Sequence, residues 1–381
     1  MPFDVNILLL TNSLEIGGIE TNLVRLSQEL NKRGHTVHVA ARPGVLSAPV
    51  VSTGAVLHDL TLKLTSPLST IRDVVALRSL VRESIDVLHV FSAKAAVLAW
   101  IALSLLPRRS RPTVIASPMG IITTPGEPSW LTKARAQATV WNCDTAVLIS
   151  PAIADLVSSI PRSPRYAINA GVVGLPEFDT ISPAELSDIR HELELQEADR
   201  VVLTIGRLDR TKYHHLFVEA AAKVVDRTSN VQFRIVGEGA LANELLKQIQ
   251  DSGLSKQVRL LGRRTDISRL LAVSNIYVRP GIDEGFVGIT VLEAQAHQVP
   301  VVAFDTRDVR QAISDGVSGL LIPTPDSGLL ADAIQSLLHD SAMAENLGRA
   351  GHQHSETTFS ITNVVDNLEI IYLESTARSR P

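Results

Sequence analysis

The stretch that decides the fold runs from Arg279 to Asp305 and reads RPGIDEGFVGITVLEAQAHQVPVVAFD. A strand-like run ends at Arg279, a loop carries Glu284, a helical pattern carries Glu293, and a second apolar run follows. A strand that enters a helix through a glycine-containing turn presents free backbone N–H groups and the positive helix end to an anion. The stretch therefore predicts a phosphate site on an α/β fold.

The two carboxylates narrow the kind of ligand. Glu284, placed before the turn, can accept hydrogen bonds from sugar hydroxyls, and Glu293, in the first helical turns, can reach a ribose. The amides would come from Gly288, Ile289 and Thr290. This pattern indicates a nucleotide-sugar site. The alternative is a surface turn in which Glu293 is simply a carboxylate favoured by the helix dipole.

Length and composition limit the class of protein. A chain of 381 residues is too long for one ordinary core, so two domains are expected. With 45% apolar and 20% charged residues the composition is globular, and a net charge of −4 argues against broad nucleic-acid binding. Cys143 is the only cysteine, so no intrachain disulfide can form and a reducing compartment fits. We expect it to be a buried packing residue rather than a nucleophile.

No targeting segment is expected, because MPFDVNILLL lacks a basic leader and a cleavage site and is typical of a first strand. The longest apolar run, from Ala95 to Leu106, is shorter than the roughly 20 residues of a membrane span, and Pro107 ends it. It predicts a buried helix. The protein is therefore predicted to be cytoplasmic, at most peripheral on the inner face of the cell membrane.

Apolar runs alternate with amphipathic stretches along the whole chain, which is typical of βα units and parallel sheets. The predicted strands are Asn6–Leu10, Thr36–Ala40, Val87–Phe91, Thr113–Ser117, Thr145–Ile149, Val201–Ile205, Gln232–Val236, Val258–Leu261, Ile276–Arg279, Pro300–Ala303 and Gly319–Ile322. The predicted helices include Glu20–Arg33, Ile71–Glu83, Ala93–Leu106, Thr132–Cys143, Leu216–Val225, Ala240–Asp251, Asp266–Ala272 and Gly328–Leu338. Two doubly wound, Rossmann-like domains follow, at 1–172 and 200–358, separated by an interdomain segment at 173–199. They are expected to face each other across a cleft.

Two further motifs stand directly after predicted strands. Gly17 and Gly18 precede a helix, where paired glycines let the backbone approach a ligand, although a plain turn would look the same. The third glycine of the dinucleotide fingerprint is missing. Arg207 and Lys212 flank the first turn of the second half and suit a diphosphate, whose departure they would stabilise. The alternative is two solvated surface cations.

Together these motifs resemble a known family. GGIE, GRLDRTK, the IVGEG at Ile235–Gly239 and the EGF…LEA block are similar, in order and separation, to glycosyltransferase family 4. The resemblance implies a GT-B fold and a hexosyltransferase that transfers a sugar with retention from a UDP- or GDP-sugar, without a metal or other cofactor. It also implies that residues from about Phe359 return to the first domain as a helix.

The resemblance assigns roles by position. Arg207 and Lys212 would bind the diphosphate and Glu284 the donor sugar. Gly17 and Gly18 would approach the donor phosphate and the acceptor. The remaining donor contacts would be Glu293 on the ribose, Gly288, Ile289 and Thr290 through their amides, and the backbone from Arg263 to Thr265 on the base.

The chain departs from the family pattern at four places. Eight residues instead of seven separate the two glutamates, and Val287 looks inserted. Tyr213 follows the lysine and Gln298 precedes the PVV strand, where the family usually has glycine. Met119 replaces a histidine that helps to position the donor sugar, and a thioether cannot transfer a proton.

The resemblance implies that the first domain, residues 1–172, binds the acceptor. Candidate residues there are His89, Ser92, Lys94, Met119 and Trp130. A histidine that ends an apolar strand can equally be structural, and Trp130 can equally be an ordinary surface or core aromatic. The cluster formed by Arg108, Arg109 and Arg111 could touch an anionic lipid head group or be a solvated loop.

Three functions are compatible with these residues. The first is transfer of a sugar to a hydroxyl of a glycan, a lipid-linked acceptor or a small molecule. The second is a nucleotide-sugar-binding partner protein with weakened catalysis, which the missing histidine and glycines motivate. The third is nucleotide-sugar epimerisation in a related two-domain fold, against which the GRLxxxK and EGF…LEA pattern argues.

Overall fold

The computed structural model describes residues 4–15, 17–82, 85–119, 129–148, 151–158, 165–168, 181–282 and 288–379. The chain divides into two compact units. Unit 1 comprises Met1–Gly174 and Thr358–Pro381, and unit 2 comprises Leu175–Thr357. Each unit is built around one parallel sheet.

Unit 1 contains a seven-stranded parallel sheet with the strand order β3-β2-β1-β4-β5-β6-β7. Its strands are β1 (Asn6–Ser13), β2 (Thr36–Arg42), β3 (Val56–Asp59), β4 (Val87–Val90), β5 (Thr113–Ala116), β6 (Thr145–Leu148) and β7 (Arg165–Ile168). Its helices are α1 (Gly18–Lys32), α2 (Ser47–Ser52), α3 (Pro67–Arg82), α4 (Ala93–Ser104), α5 (Ser129–Val140) and α6 (Pro151–Ser158). Helices α3, α4, α5 and α6 pack side by side in that order.

Unit 2 contains a six-stranded parallel sheet with the order β10-β9-β8-β11-β12-β13. Its strands are β8 (Arg200–Ile205), β9 (Val231–Val236), β10 (Val258–Leu260), β11 (Ile276–Arg279), β12 (Val301–Phe304) and β13 (Leu320–Ile322). The helices that follow unit 1 are α7 (Pro183–Glu192), α8 (His214–Val225), α9 (Ala242–Asp251), α10 (Ile267–Ala272), α11 (Ile289–Ala296), α12 (Ser327–His339), α13 (Ser341–Phe359) and α14 (Ile361–Ser379). Of these, α14 belongs to unit 1, and α13 ends at the boundary between the units.

The strands are mainly apolar, as expected for parallel sheets that helices cover on both faces. All four residues of β4, β5, β11 and β12 are buried. In unit 2 the core includes Phe217 of α8 and Phe233 of β9, whose rings meet edge to face at 5.5 Å. This confirms the predicted pair of doubly wound sheets.

The C-terminal helix α14 is fixed to α1 and to the sheet of unit 1. Arg33, at the end of α1, donates to Asp366 at 2.5 Å and to Glu369 at 2.9 Å. Glu369 also contacts His35 at 2.8 Å. The pKa of the Arg33 guanidinium is raised, because the favourable contacts with these carboxylates outweigh its partial burial.

Several elements were not predicted from the sequence: α2, β3, α6, β7 and α13. Strand β3 is a short edge strand with no buried residue, so its pattern is weak. Helix α13 contains Gly348, which lowers its helix propensity. A Cβ there would lie 2.0 Å from the Gln298 carbonyl oxygen, so close packing requires the glycine.

Within the described part of the chain, no helix is both long and apolar enough to cross a bilayer.

Candidate functional site

The strand order reverses at one place in each sheet, between β1 and β4 in unit 1 and between β8 and β11 in unit 2. Ligands of open α/β sheets bind beyond the carboxyl ends of the strands at such switch points. In unit 2 the turn from Gly206 to Tyr213 follows β8, Pro280 follows β11, and Gly288 stands at the start of α11. The structure therefore brings the predicted cation motif and the predicted helix N-terminus to the same edge of unit 2.

The turn after β8 exposes Arg207 while its neighbour anchors it. Leu208 is buried in the core, and the Arg207 side chain is 65% exposed. Its guanidinium lies 3.2 Å from Asp209. Asp209 in turn accepts hydrogen bonds from the Thr211 amide and hydroxyl at 3.0 and 2.5 Å. The arginine is thus presented to solvent on a turn that is internally braced, which suits an anion.

Lys212 lies on the other side of the same turn. A Cβ at Gly206 would meet Lys212 Cδ at 3.4 Å and His214 Nε2 at 3.5 Å, so the lysine stem and the imidazole flank this glycine. His214 is buried, and burial first, then the Lys212 charge, lowers its pKa to about 4. The imidazole is therefore neutral at physiological pH and adds no charge to the site.

Tyr213 occupies the position where the family usually has glycine. It adopts the left-handed conformation, with φ 52° and ψ 31°, between the 3₁₀ turn and α8. Gln298, the second departure from a family glycine, has φ 57°. At both positions a residue with a side chain adopts a left-handed backbone conformation that costs glycine less energy.

The IVGEG motif acts as the support of the Arg207 turn, a role that the sequence did not reveal. Gly206 N donates to Val236 O and Leu208 N donates to Glu238 O, both at 2.9 Å. A Cβ on Gly237 would lie 1.9 Å from Gly206 O, and one on Gly239 would lie 2.3 Å from Leu208 O. The sequence signal for this close contact was the pair of glycines, Gly237 and Gly239, directly after β9.

The helix N-terminus after β11 is built as predicted. Gly288 is the N-cap of α11 with φ 83°, and the N–H groups of the first helical residues have no partner within the helix. Thr290 Oγ1 accepts a hydrogen bond from the buried Tyr277 hydroxyl at 2.6 Å, which ties the first turn to β11. Glu293 is partly buried. The proposed catalytic Glu284 and the inserted Val287 lie outside the described residues.

A buried pair of opposite charges lies under this helix N-terminus. Arg279, the last residue of β11, donates to Gly281 O at 3.1 Å and lies 3.9 Å from Asp308. Both side chains are 5% exposed. A Cβ on Gly288 would be 3.6 Å from Arg279 Nε, so the guanidinium lies close to Gly288 as well as to Gly281.

The segment predicted to hold the base follows β10. Arg263 is exposed, and Gly262, with φ 67°, accepts a hydrogen bond from Gly237 N at 2.9 Å. The Arg264 guanidinium forms ion pairs with Asp266 at 2.7 Å and with Glu192 at 2.5 Å. The hydrogen bond from Arg264 lowers the pKa of Asp266. The base segment is thereby tied to the turn that supports Arg207.

The switch point of unit 1 has a different charge. Gly17 is the N-cap of α1 with extended backbone, and Gly18 begins the helix. A Cβ on Gly17 would lie 2.3 Å from the Glu20 carboxylate, which therefore folds back over this glycine. Partial burial raises the pKa of Glu20. A carboxyl group, rather than a cation, stands where the paired glycines are predicted to approach the donor.

His89 does not face a ligand site. It is fully buried, with Nδ1 2.7 Å from the Tyr372 hydroxyl and Nε2 2.7 Å from the Ser117 hydroxyl, and it stacks on Phe91. Burial lowers its pKa to about 3. The prediction that His89 lies on the acceptor side is therefore wrong. Both of its ring nitrogens form hydrogen bonds inside the protein, which link β4 to α14 and to the residue after β5.

The other acceptor-side candidates are placed as follows. Ser92 caps α4 by accepting from Ala95 N, and its hydroxyl donates to Asn12 at 2.7 Å. Lys94 is exposed in the first turn of α4. Met119 is buried just after β5, and Trp130 is exposed at the start of α5. Ser92 is therefore structural in part, whereas Lys94 and Trp130 are open to solvent.

Two chemical classes of site find no support in the described residues. Within those ranges no three histidine, cysteine, aspartate or glutamate side chains are grouped as metal ligands. Cys143 is partly buried, and its thiol donates to Val140 O at 3.3 Å. Burial raises the pKa of this thiol to about 12, so it is a poor nucleophile at neutral pH.

Sequence comparison assigns both halves of the chain to glycosyltransferases. A model of glycosyl transferases group 1 matches residues 187–354, and a model of glycosyltransferase family 4 matches residues 16–172. These matches cover most of the chain, including the Arg207 turn and the start of α11. The chain belongs to glycosyltransferase family 4, and its fold class is GT-B.

Two curated relatives align over most of their length. N-acetyl-alpha-D-glucosaminyl L-malate synthase of Bacillus anthracis is 22% identical over 94% of this chain and 94% of its own. Phosphatidyl-myo-inositol mannosyltransferase of Mycobacterium leprae is 28% identical over 88% of this chain and 87% of its own. Other curated relatives align over only about half of their own length, 52% and 51% in two cases.

A solved structure shares the fold. The crystal structure of Anabaena HepE in complex with UDP-glucose has a TM-score of 0.81 and 20% sequence identity, covering 97% of this chain and 99% of that one. At this identity the likeness establishes the architecture. The enzyme class is that of the family, a glycosyltransferase.

Proposed function

We propose that the protein is a retaining, metal-independent glycosyltransferase that moves a sugar from a UDP- or GDP-sugar to a hydroxyl of a glycan, a glycolipid or a small molecule. The observation that carries this proposal is the convergence of the Arg207 turn and the α11 N-terminus at the switch point of unit 2. Two cations and a set of helix N–H groups are suited to a diphosphate.

The chemistry follows from what these residues can do. The acceptor oxygen forms a bond to the anomeric carbon on the face from which the diphosphate leaves, and the bond from that carbon to the phosphate oxygen breaks. The acceptor proton passes to the departing phosphate. Arg207 and Lys212 would stabilise the negative charge that develops on the diphosphate, so no protein nucleophile and no metal is required for charge neutralisation.

The names of the relatives support the class of donor. One is named as a glucosaminyl and another as a mannosyl enzyme, and the HepE structure contains UDP-glucose. They differ in sugar, so the donor sugar of this chain is left open in the proposal. Of the alternatives, the binding protein with weakened catalysis is motivated by Met119, whose buried thioether cannot assist proton transfer.

Replacing one arginine tests the proposal against a close control. Arg207→Ala should lower turnover of the preferred nucleotide sugar at least about 100-fold, because it removes a positive charge that stabilises the leaving diphosphate. Arg210→Ala, an exposed arginine in the same turn, should change turnover by no more than a few-fold. Wild-type turnover in Arg207→Ala would refute the assignment. Tight UDP or GDP binding without transfer or hydrolysis, over a panel of donors and acceptors, would favour the binding protein.

A further inference from the structure

The charged side chains of helices α4 and α5, and of the turn between α4 and β5, are basic. From Val87 to Cys143 the sequence has a single acidic residue, Glu127, although the whole chain has a net charge of −4. The basic residues of this segment are all exposed: Lys94, Arg108, Arg109, Arg111, Lys133 and Arg135. A cationic surface on an acidic protein indicates an anionic partner.

Helices α4 and α5, together with the turn that follows α5, hold every tryptophan of the protein. The chain has three, and Trp100, Trp130 and Trp141 are 50%, 66% and 63% exposed. With the Asn142 amide oriented toward the indoles, its oxygen accepts hydrogen bonds from Trp100 and Trp141 Nε1 at 3.1 and 3.2 Å. The polar ends of these two rings are therefore satisfied inside the protein, and the exposed remainder is hydrocarbon. We call this surface of α4, α5 and residues 108–111 the tryptophan face.

The tryptophan face is not flat. A cavity of about 1020 Å³ opens between α4 and α5, and its border includes Trp100, Trp141, Arg108 and Arg111. Arg111 also donates to the Leu106 carbonyl at 3.1 and 3.0 Å, which fixes its guanidinium at the end of α4. Indoles and guanidinium groups thus surround one recess that is large enough for a small organic group.

Exposed apolar side chains continue onto the neighbouring helix. On α3, which packs on α4, Leu68, Ile71 and Val75 are 82%, 61% and 60% exposed. Their spacing of three and four residues places them on one side of the helix. Leu105, at the end of α4, is 58% exposed. Several exposed hydrophobic side chains on neighbouring helices favour a protein or membrane contact over a fully solvated surface.

We propose that the tryptophan face docks on an anionic membrane surface. The arginines and lysines would lie against lipid phosphates, and the indoles and Leu105 would enter the head-group region, where Trp is favoured. A nucleic acid would pair with the cations but would leave the exposed leucines and isoleucine of this layer unused. Helix α5 spans about 18 Å and has a tryptophan near each end, so it can lie along a bilayer.

This docking goes beyond sugar transfer, because it needs neither donor nor acceptor. It also has a geometric consequence for unit 1. Helix α5 begins at the carboxyl edge of the sheet and ends at the opposite edge. A bilayer that lies along α5 therefore passes beside the carboxyl edge, where ligands of such sheets bind.

The three tryptophans provide the measurement. The full-length protein would be mixed with vesicles of phosphatidylcholine alone or of phosphatidylcholine and phosphatidylglycerol, and followed by co-sedimentation and intrinsic fluorescence. We expect binding and a shift of emission to shorter wavelength only with the anionic vesicles, weakening as salt is added. Because all tryptophans lie on the proposed face, the shift reports contact there.

Charge reversal supplies the test and its matched control. The variant Arg108→Glu/Arg109→Glu/Lys133→Glu should bind anionic vesicles at least about 100-fold more weakly, from roughly fivefold per cation. The control Lys247→Glu/Lys256→Glu/Arg349→Glu changes three exposed cations of unit 2 and should bind like the wild type. Both should bind UDP or GDP unchanged, which separates this test from that of the proposed function.

Three outcomes would overturn the inference. The first is no binding to anionic vesicles. The second is binding that neither salt nor the reversal of the tryptophan-face charges weakens. The third is binding to the soluble polyanion heparin without binding to vesicles, which would indicate an acidic macromolecule as the partner.

Discussion

Replacing Gly237 with alanine should disable the Arg207 turn without touching any residue proposed to contact a ligand. The new Cβ would lie 1.9 Å from Gly206 O, whereas real contacts of this kind are almost never below 3.0 Å. The carbonyl must therefore retreat by about 1.1 Å. Gly206 is bonded to Arg207, so the displacement passes directly to the proposed diphosphate-binding residue. A misplacement of about 1 Å can lower turnover about 100-fold.

The backbone conformation adds a stability cost. Gly237 has φ 145°, which an alanine rarely adopts, and together with the contact we expect a loss of about 3 kcal/mol in the free energy of unfolding. Gly253→Ala is the matched control, because Gly253 has φ 69° with no atom within 4 Å of the new Cβ. It should cost about 1 kcal/mol and leave ligand binding intact.

The assay is titration calorimetry with UDP and GDP, followed by turnover of the preferred donor and by urea unfolding. Gly237→Ala should lose nucleotide affinity and turnover under conditions where it is still folded. If it binds and turns over like Gly253→Ala, the IVGEG motif does not position the Arg207 turn and the reasoning fails.

Three further predictions concern the strained, charged and buried groups. Tyr213→Gly and Gln298→Gly should each raise the free energy of unfolding by about 1 kcal/mol, because both residues have positive φ; a decrease in urea-unfolding experiments would contradict this. Asp308→Asn should lower the thermal unfolding midpoint through a loss of about 3 kcal/mol, because it removes the negative charge that lies 3.9 Å from the buried Arg279 guanidinium, whereas Arg279→Leu/Asp308→Leu should recover most of it; equal loss in both would refute the pairing. The free energy of unfolding should fall as the pH drops below 6.5, by about 2 kcal/mol per buried histidine near pH 5. The reason is that both imidazoles are protonated there in the unfolded chain but stay neutral in the folded protein, where the pKa of His89 is about 3 and that of His214 about 4. His214→Phe should therefore reduce the pH dependence of urea unfolding.

The sequence predicted the sheets because parallel strands covered on both faces are mainly apolar, and a run such as Val301–Phe304 leaves little ambiguity. It predicted the Arg207 turn and the α11 N-terminus for a related reason. Both combine glycine with polar groups directly after such strands, so the local order of residue types already specifies their place. Strand β3 was missed because its four residues are partly exposed and carry no such pattern.

What could not be predicted depends on contacts between distant parts of the chain. His89 is the third residue of the four-residue strand β4, and its place in the core depends on a contact with Tyr372, which lies 283 residues away. The support of Gly206 by Gly237 likewise joins two turns about thirty residues apart. Periodicity describes one element at a time, so it cannot reveal which elements share a hydrogen bond.

The two switch points differ in charge in a way that supports different roles for the units. In unit 2 the turn carries Arg207 and Lys212, and the neighbouring histidine is neutral. In unit 1 the corresponding glycines lie under Glu20, whose raised pKa reflects a carboxyl group in partly buried surroundings. A diphosphate would be attracted to the first arrangement and repelled by an ionised carboxylate in the second. This asymmetry favours unit 2 as the donor unit, and it makes Glu20→Gln informative: if the glycines of unit 1 also contact the donor phosphate, removing that charge should tighten UDP or GDP binding, whereas unchanged affinity would place the phosphate on unit 2 alone.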